Sequence, residues 1–247
     1  MKISKEEAAE FLRTHERFLL VGHIHPDGDD IGSIVALGNV LEAMGKTVDR
    51  VIADPVPERF QFLPSVKSIR TSIPDGASYD ALVFTDLSNI ERGGGFDFPK
   101  VPSLCIDHHV SNTEYTDYLY LRADYAATAE MLAELFLDSG FPLDQEARNA
   151  LYMGIGTDSG FFKFSNTSAH TLLMASRLVE GVEIGVLFKE DGPETTRLSI
   201  RSRAYANVSE LAAHFGGGGH VRAAGCTIHL PMAEAEAAFL AEAEKYI

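Results

Sequence analysis

The chain has 247 residues, of which 45% are apolar, and its formal net charge is −15. This length suits one large or two modest domains with substantial hydrophobic cores. The acidic balance argues against a broad electrostatic grip on long nucleic acid, because phosphate contacts need a basic surface. We therefore expect any phosphate-containing substrate to be short.

The N-terminal stretch and the cysteines favour a cytosolic protein without a membrane partner. No apolar run approaches the length that crosses a bilayer, and MKISKEEAAEFLRTHE is a charged amphipathic pattern rather than a signal peptide. Cys105 and Cys226 lie far apart and outside any paired-cysteine motif, which is typical of reduced thiols. Nothing in the sequence indicates an oligomeric state.

Strand-like and helix-like segments alternate from residue 17 onward. The run RFLLVGH predicts a strand, and a helix follows from Ile31 to Met44, closed by Gly45. Further strands are predicted at TVDRVIA, YDALVFTD and SLCIDHH, and helices at ATAEMLAELFLDSG, QEARNALYMGIG and SAHTLLMASRLV. Unbroken apolar strands are typical of a covered parallel sheet. We therefore predict an α/β fold with helices on both faces of a parallel sheet.

The pattern changes after about residue 180. GVEIGVLFKE and TRLSIRSR are predicted strands, VSELAAHF a helix running into GGGGH, AAGCTIHL a strand and MAEAEAAFLAEAEKYI a closing helix. We therefore predict two domains, residues 1–179 and a smaller α/β domain at residues 180–247.

Side chains that bind metals follow three of the predicted strands. They are His23, Asp27 and Asp29 after the first, Asp86 after ALVFT, and Asp107, His108 and His109 after SLCI. The carboxyl ends of strands line the binding crevice of open α/β sheets, so these groups should converge. Asp158, in the glycine-rich break GIGTDSG, adds a fourth contribution. Each feature alone has a structural explanation, such as a turn at HPDGD, but their conjunction indicates a site.

The composition of this set indicates hard divalent ions. Carboxylates and imidazoles without thiolates suit Mn²⁺ or Mg²⁺ better than a structural zinc site. The candidates exceed what one ion needs, so we expect two. Two such ions can lower the pKa of a shared water and so activate it as a nucleophile.

Five segments resemble, in order, the motifs of the DHH phosphoesterase superfamily and its associated C-terminal domain. They are HIHPDGDDIGS, DLSN, DHH, GTDSGFFKFSNTS and FGGGGHVRAAG. The combination is similar to the branch that contains bacterial oligoribonucleases (nanoRNases) that also dephosphorylate 3′-phosphoadenosine 5′-phosphate. The resemblance implies a manganese-dependent phosphodiesterase or phosphatase that acts on short oligoribonucleotides, linear dinucleotides or that nucleotide.

The resemblance also implies residue roles. One Mn²⁺ would be held by His23, Asp27 and Asp86, and the other by Asp29, Asp86, His108 and Asp158. Asp107 would orient a ligand histidine. His109 would face the scissile phosphate and stabilise its developing charge or protonate the leaving oxygen.

In the second domain, the resemblance favours a substrate-binding role for two segments. Glycines let backbone N–H groups approach a phosphate or base, and an arginine can bind a phosphate through two N–H groups. The candidates are Arg201, Ser202, Gly218, Gly219, His220 and Arg222. Taken alone, the glycine run would be a flexible loop and the arginine a solvated strand residue. The sequence does not decide whether Arg92 contacts a substrate phosphate or forms an ion pair with an acidic residue.

Three positions depart from the family pattern. His25 stands where asparagine is common, and Asp30 stands where a small residue is usual; we interpret Asp30 as a helix cap. At SRLVEGVEIGVLF, Val179 runs almost directly into the second domain, where relatives have an additional helical stretch. This short join is either a real deletion or a sign of omitted residues.

Other functions remain open. A single-strand DNA exonuclease of the same superfamily would prefer long DNA. A manganese pyrophosphatase would share the first-domain motifs, although GGGGHVRAAG favours a nucleotide-sized substrate. A non-catalytic nucleotide-binding regulator would bind nucleotides without turnover, especially if the short join displaces the second domain.

Overall fold

Six strands of the computed structural model form one parallel sheet. They are β1 (Arg17–Val21), β2 (Thr47–Val51), β3 (Ile69–Arg70), β4 (Ala81–Thr85), β5 (Ser103–Asp107) and β6 (Tyr118–Leu121). Their spatial order is β3-β2-β1-β4-β5-β6. The chain builds the sheet outward from β1 on one side and then from β4 on the other. The boundary between β1 and β4 is therefore the switch point at which open α/β sheets bind ligands.

The structure describes residues 1–180, 184–203 and 205–246, and the chain divides into two units, Met1–Val179 and Glu180–Ile247. The first unit contains five α-helices: α1 (Lys5–Thr14), α2 (Gly28–Ala43), α3 (Thr128–Ser139), α4 (Gln145–Asp158) and α5 (Ala169–Leu178). The short join predicted after Val179 falls partly on residues 181–183, which lie outside the described residues.

Two helix boundaries differ from the sequence prediction. Helix α2 begins at Gly28 rather than at Ile31, because the Asp27 side chain accepts hydrogen bonds from the backbone N–H groups of Asp29 and Asp30 and so starts the helix earlier. Helix α4 continues to Asp158, so this residue ends a helix instead of lying in a glycine-rich break. In both cases a residue expected in a loop is held by regular backbone structure.

The predicted α/β fold with a parallel sheet and flanking helices is confirmed. One face of the sheet packs against the five helices in a single core, with Phe18, Leu20, Val83 and Ile106 on the sheet side. The described residues on the other face pack against connecting segments, where Phe84 contacts Phe98 edge to face. The helices we expected on both faces thus gather on one, and apolar loops cover the second.

The second unit is a four-stranded antiparallel sheet with helices against one face. Its strands are β7 (Ile184–Gly192), β8 (Thr195–Ser202), β9 (Gly218–His220) and β10 (Ala223–Ile228), in the spatial order β7-β8-β10-β9. Helices α6 (Val208–His214) and α7 (Met232–Ala243) share a core with the inward side chains of β8 and β10. The end of the glycine run is therefore an edge strand rather than a loop.

Within the described residues, none of the helices combines the length and the apolar character that crossing a bilayer requires.

Candidate metal centre

The carboxyl ends of β1, β4 and β5 lie side by side, because these strands are neighbours in the sheet. The segment after β1 carries His23, Asp27 and Asp29, Asp86 follows β4, and β5 ends at Asp107 before His108 and His109. Asp86 has a φ of +58°, a left-handed conformation that turns the chain sharply out of β4. The sheet thus brings the sequence-predicted residues that follow these three strands to one edge, and Asp158 reaches the same place from the end of α4.

His23, Asp27 and Asp86 form the first cluster of possible ligands. Nε2 of His23 lies 3.5 Å from Oδ2 of Asp86 and 3.9 Å from Oδ1 of Asp27. The Nδ1 atom of His23 lies 2.7 Å from the carbonyl oxygen of Ile24, which can only accept a hydrogen bond. Nδ1 also lies 3.0 Å from Nη2 of Arg92, and Nε2 faces the two carboxylates.

Asp29, His108 and Asp158 form the second cluster. Nε2 of His108 lies 3.4 Å from Oδ2 of Asp158 and 3.9 Å from Oδ2 of Asp29. The Nδ1 atom donates to the carbonyl oxygen of Tyr125 at 3.2 Å, whereas Nε2 is buried and has no hydrogen-bond partner among the described residues. An orphaned imidazole nitrogen aimed at two carboxylates fits a bound cation.

The Asp86 carboxylate joins the two clusters. Its Oδ2 atom faces His23, and its Oδ1 atom lies 3.6 Å from Nε2 of His108. One carboxylate can use each oxygen for a different ion, and this arrangement suits a bridging ligand. Asp86 is buried, with 2% of its surface exposed, so it has little water to stabilise its charge.

Electrostatics also favour a cation here. Burial, and then the neighbouring carboxylates, raise the pKa values of Asp29 and Asp86 well above the ordinary aspartate range. Burial and the charge of Asp27 raise the pKa of Asp158 to about 6. Carboxylates crowded in this way repel each other when ionised, and divalent cations remove that repulsion. The donor set of carboxylates and imidazoles fits hard divalent ions such as Mn²⁺ or Mg²⁺.

Asp107 contacts His109 and not the candidate ligand His108. Its Oδ1 atom accepts a hydrogen bond from Nδ1 of His109 at 2.7 Å, and its Oδ2 atom accepts one from the Asn112 amide at 2.7 Å. The expected orientation of a ligand histidine by Asp107 is therefore corrected: the Tyr125 carbonyl orients His108, and Asp107 orients the third histidine. Nε2 of His109 takes no part in these hydrogen bonds and can contact another group.

The interpretation of Asp30 as a helix cap is wrong, because Asp27 caps α2. Asp30 is fully buried, and its Oδ1 atom accepts the backbone N–H of His23 at 3.1 Å. The carboxyl group is close to Gly22, where an added Cβ would lie 2.4 Å from Oδ1. Asp30 thus fixes the backbone at His23, the first candidate ligand histidine.

The sequence does not identify Thr128 or Tyr125 as residues of the site, and it leaves the role of Arg92 undecided. Nη2 of Arg92 lies 3.0 Å from Nδ1 of His23, which places this arginine beside the first cluster. Thr128 donates its hydroxyl to Asp86 at 2.9 Å. Tyr125 acts through its backbone carbonyl, which no side-chain pattern reveals. The position of Thr128 at a predicted helix start was the one available signal.

The candidate substrate residues of the second unit lie on β8, on β9 and in the β9–β10 turn. Arg201 pairs with Ala223, which pairs with His220, so Arg201 and His220 share one row of the sheet. Both are exposed, as are Gly218, Gly219 and Arg222. The Ser202 hydroxyl and a guanidinium N–H of Arg222 both donate to the carbonyl oxygen of Ala206. Ser202 and Arg222 therefore also fix the position of the Ala206 carbonyl group.

Two family domains match this chain. Residues 17–155 match the DHH family, N-terminal domain, and residues 161–247 match the DHHA1 domain. The first match alone covers more than half of the chain and includes seven of the eight candidate residues of the first unit; Asp158 falls between the two matched ranges.

Two similar curated proteins carry the name bifunctional oligoribonuclease and PAP phosphatase NrnA. The one from Thermus thermophilus is 33% identical over 219 residues, which cover 85% of this chain and 64% of the relative. This chain thus spans slightly less than two thirds of that protein. The one from Mycoplasma pneumoniae is 25% identical over 301 aligned residues, covering 92% of each protein. That alignment exceeds the 247 residues of this chain, so the relative contains residues without a counterpart here.

A solved structure supports the fold independently. An exopolyphosphatase-related protein from Bacteroides fragilis superposes with a TM-score of 0.63 and 20% sequence identity, covering 98% of this chain and 96% of that one. At this identity the likeness concerns the fold and not the reaction.

Proposed function

Because this chain belongs to the DHH family, we propose that it is a manganese-dependent phosphoesterase that hydrolyses short oligoribonucleotides, linear dinucleotides or 3′-phosphoadenosine 5′-phosphate. The observation that carries the proposal is the Asp86 carboxylate, which presents one oxygen to each of two histidine-containing clusters. The names of the relatives support the substrate class. The net charge of −15 supports a short substrate over a long one.

We assign the metal-binding residues to two ions. The first would be held by His23, Asp27 and Asp86, and the second by Asp29, Asp86, His108 and Asp158. When bound, the ions would supply Lewis-acid activation of water and neutralise the charge of the phosphate. The buried, lone-pair-bearing Nε2 of His108 and the crowded carboxylates support this assignment.

His109 would supply the proton for the leaving oxygen. Its hydrogen bond with Asp107 raises the pKa of the imidazole, and burial opposes this only in part. A protonated ring held through Nδ1 presents an N–H at Nε2 to the substrate. Such a donor can stabilise the negative charge that develops on the phosphate and protonate the departing group.

The second unit would hold the substrate. Arg201 and His220 offer donors from one row of the sheet, and Gly218 is exposed with open space where a side chain would stand, so a phosphate or base can approach it. Ser202 and Arg222 keep donor or acceptor capacity beyond their bonds to Ala206. We assign substrate binding to these residues together with Gly219.

We further propose that the protein acts in the cytosol, as the buried free thiols of Cys105 and Cys226 suit a reducing compartment.

The test is product analysis with purified protein and Mn²⁺. Linear diadenylate, a short oligoribonucleotide and 3′-phosphoadenosine 5′-phosphate are incubated separately, with and without a chelator. We expect metal-dependent release of mononucleotide or phosphate. Asp86→Ala should abolish it, and Asp97→Ala, which removes an exposed carboxylate outside both clusters, should leave it unchanged.

The alternative functions predict other outcomes. Tight nucleotide binding by folded, Mn²⁺-loaded protein without turnover would replace the hydrolase with a binding module. A strong preference for long single-stranded DNA over dinucleotides would indicate an exonuclease instead.

A further inference from the structure

One short segment, Tyr125–Ala129, contacts three of the candidate metal ligands. The Tyr125 carbonyl accepts from Nδ1 of His108, and the backbone N–H groups of Thr128 and Ala129 donate to Asp29 at 2.7 and 2.8 Å. The Thr128 hydroxyl donates to Oδ1 of Asp86 at 2.9 Å. The three ligands come from three different strand ends, so this segment is a common support for both clusters.

The start of helix α3 depends on this contact. The residue preceding the helix, Ala127, has no side chain that can cap it. The Asp29 carboxylate takes that position from a distant part of the chain and satisfies two N–H groups, one with each oxygen. The helix start and the ligand therefore hold each other in place.

Glu130 anchors the segment from behind. It is fully buried, and its Oε2 atom accepts from the backbone N–H of Ala126 at 2.8 Å and from the Thr171 hydroxyl at 3.0 Å. Its Oε1 atom pairs with Nδ1 of His170 at 2.7 Å. The segment is thus tied to the start of α5 as well as to the candidate metal centre.

We propose that Thr128 is a positioning residue that fixes the Asp86 carboxylate between His23 and His108. Its hydroxyl holds Oδ1, which also lies 3.6 Å from both Nε2 of His108 and Nδ1 of His109, while Oδ2 stays turned to His23. The torsion that orients a carboxylate is soft, so without this bond the group can rotate away from either partner. The inference rests on the proposed function, because it concerns the ions that this function requires.

The test compares Thr128→Val with Thr85→Val by calorimetric titration of the full chain with Mn²⁺. Both threonines are fully buried, but the Thr85 hydroxyl has no hydrogen-bond partner in the described part of the chain. We expect Thr128→Val to weaken Mn²⁺ binding by roughly 10–100-fold, the usual effect of losing a ligand's supporting hydrogen bond. Thr128→Ser, which keeps the hydroxyl, should restore the affinity, and Thr85→Val should match the unsubstituted protein.

Each other outcome overturns the inference. Unchanged Mn²⁺ affinity in folded Thr128→Val would show that the hydroxyl positions nothing. If Thr128→Val and Thr128→Ala both fail to fold while Thr85→Val folds, Thr128 has a structural role only. If the unsubstituted protein binds Mn²⁺ and turns over substrate, these results leave the proposed function intact, whereas absence of Mn²⁺ binding in the unsubstituted protein would remove both.

Discussion

Nδ1 of His109 donates a hydrogen bond to Oδ1 of Asp107 at 2.7 Å, while the neighbouring Asn112 amide holds the other oxygen of that carboxylate. Burial on its own would raise the pKa of Asp107, but the bonds from His109 and Asn112 lower it overall. The same pairing raises the pKa of His109. A carboxylate that stays ionised thus keeps the imidazole protonated to a higher pH.

We predict that Asp107→Asn lowers the pKa of His109. A raised folded-state pKa keeps the protonated donor present below it and loses the donor as the pH rises through it. The alkaline limb of the rate profile should therefore move to lower pH in the variant, with a loss of roughly tenfold or more above that limb. A pH titration of the His109 ring by NMR checks the shift directly, with His109→Asn identifying the signal. An unmoved titration would contradict the pairing as its cause.

Much of the candidate metal centre could be predicted from strand-end chemistry. His23, Asp86 and His108 follow apolar runs, and parallel strands place such positions at one sheet edge. The prediction needed only the periodicity of the strands and the type of side chain after each. It did not depend on the exact helix boundaries, which differ between prediction and structure at Gly28 and Asp158.

The supporting contacts could not be predicted in the same way. Asp29 meets Thr128 and Ala129, about a hundred residues along the chain, through backbone N–H groups that every residue carries. Strands β3 and β6 have few residues. An alternation of apolar and polar residues that is so short cannot be distinguished from the turn-rich sequence around it. Asp30 was misassigned because its partner, the His23 backbone, is fixed by the end of β1 and not by helix geometry.

We predict that substitutions of two neighbouring glycines in β9 change different properties, stability in one case and KM in the other. An added Cβ at Gly219 would lie 2.5 Å from the Ala223 carbonyl oxygen, and its φ is +152°, whereas one at Gly218 would meet nothing within 4 Å. Gly219→Ala should lower the stability of the second unit by about 1–3 kcal/mol. Gly218→Ala should melt like the parent protein but raise KM, because the new methyl group covers backbone that the substrate approaches.

Thermal denaturation and steady-state kinetics on both variants check this pair. An unchanged KM in Gly218→Ala would show that the open backbone does not meet substrate.

An ion pair between a buried arginine and an exposed glutamate, outside the candidate metal centre, provides a stability prediction. Arg50 is 1% exposed, and its guanidinium binds both carboxylate oxygens of Glu42 at 2.8 and 2.9 Å and the Asn39 carbonyl at 3.0 Å. Removing Glu42 leaves a buried cation short of acceptors, so Glu42→Ala should cost about 1–3 kcal/mol of unfolding free energy. Arg50→Met should cost less, because it removes the charge as well.

Urea unfolding measures both costs. Mn²⁺ affinity below the unfolding transition should be unchanged in the two variants, because neither residue belongs to the two clusters. A loss in Arg50→Met larger than in Glu42→Ala would mean that packing of the arginine stem outweighs its charge.

Asp158 makes the stability of the metal-free protein depend on pH. Its pKa is raised from 3.8 to about 6 in the folded chain, first by burial and then by the charge of Asp27. Between these values the folded state retains a proton that the unfolded state has released, so stability falls as the pH rises through this window. Above pH 6 the full cost applies, roughly 2–3 kcal/mol at about 1.4 kcal/mol for each pKa unit.

Asp158→Asn should therefore stabilise the protein in EDTA at pH 7.5, and the gain should shrink as the pH falls toward 4. Urea unfolding at both pH values measures the difference, with the exposed Asp97→Asn as the matched control. Mn²⁺ should reverse the order at pH 7.5, because a cation that binds only the folded state stabilises the protein that retains its ligands. Equal stabilisation of both proteins by Mn²⁺ would remove Asp158 from the ligand set, whatever the pH series shows.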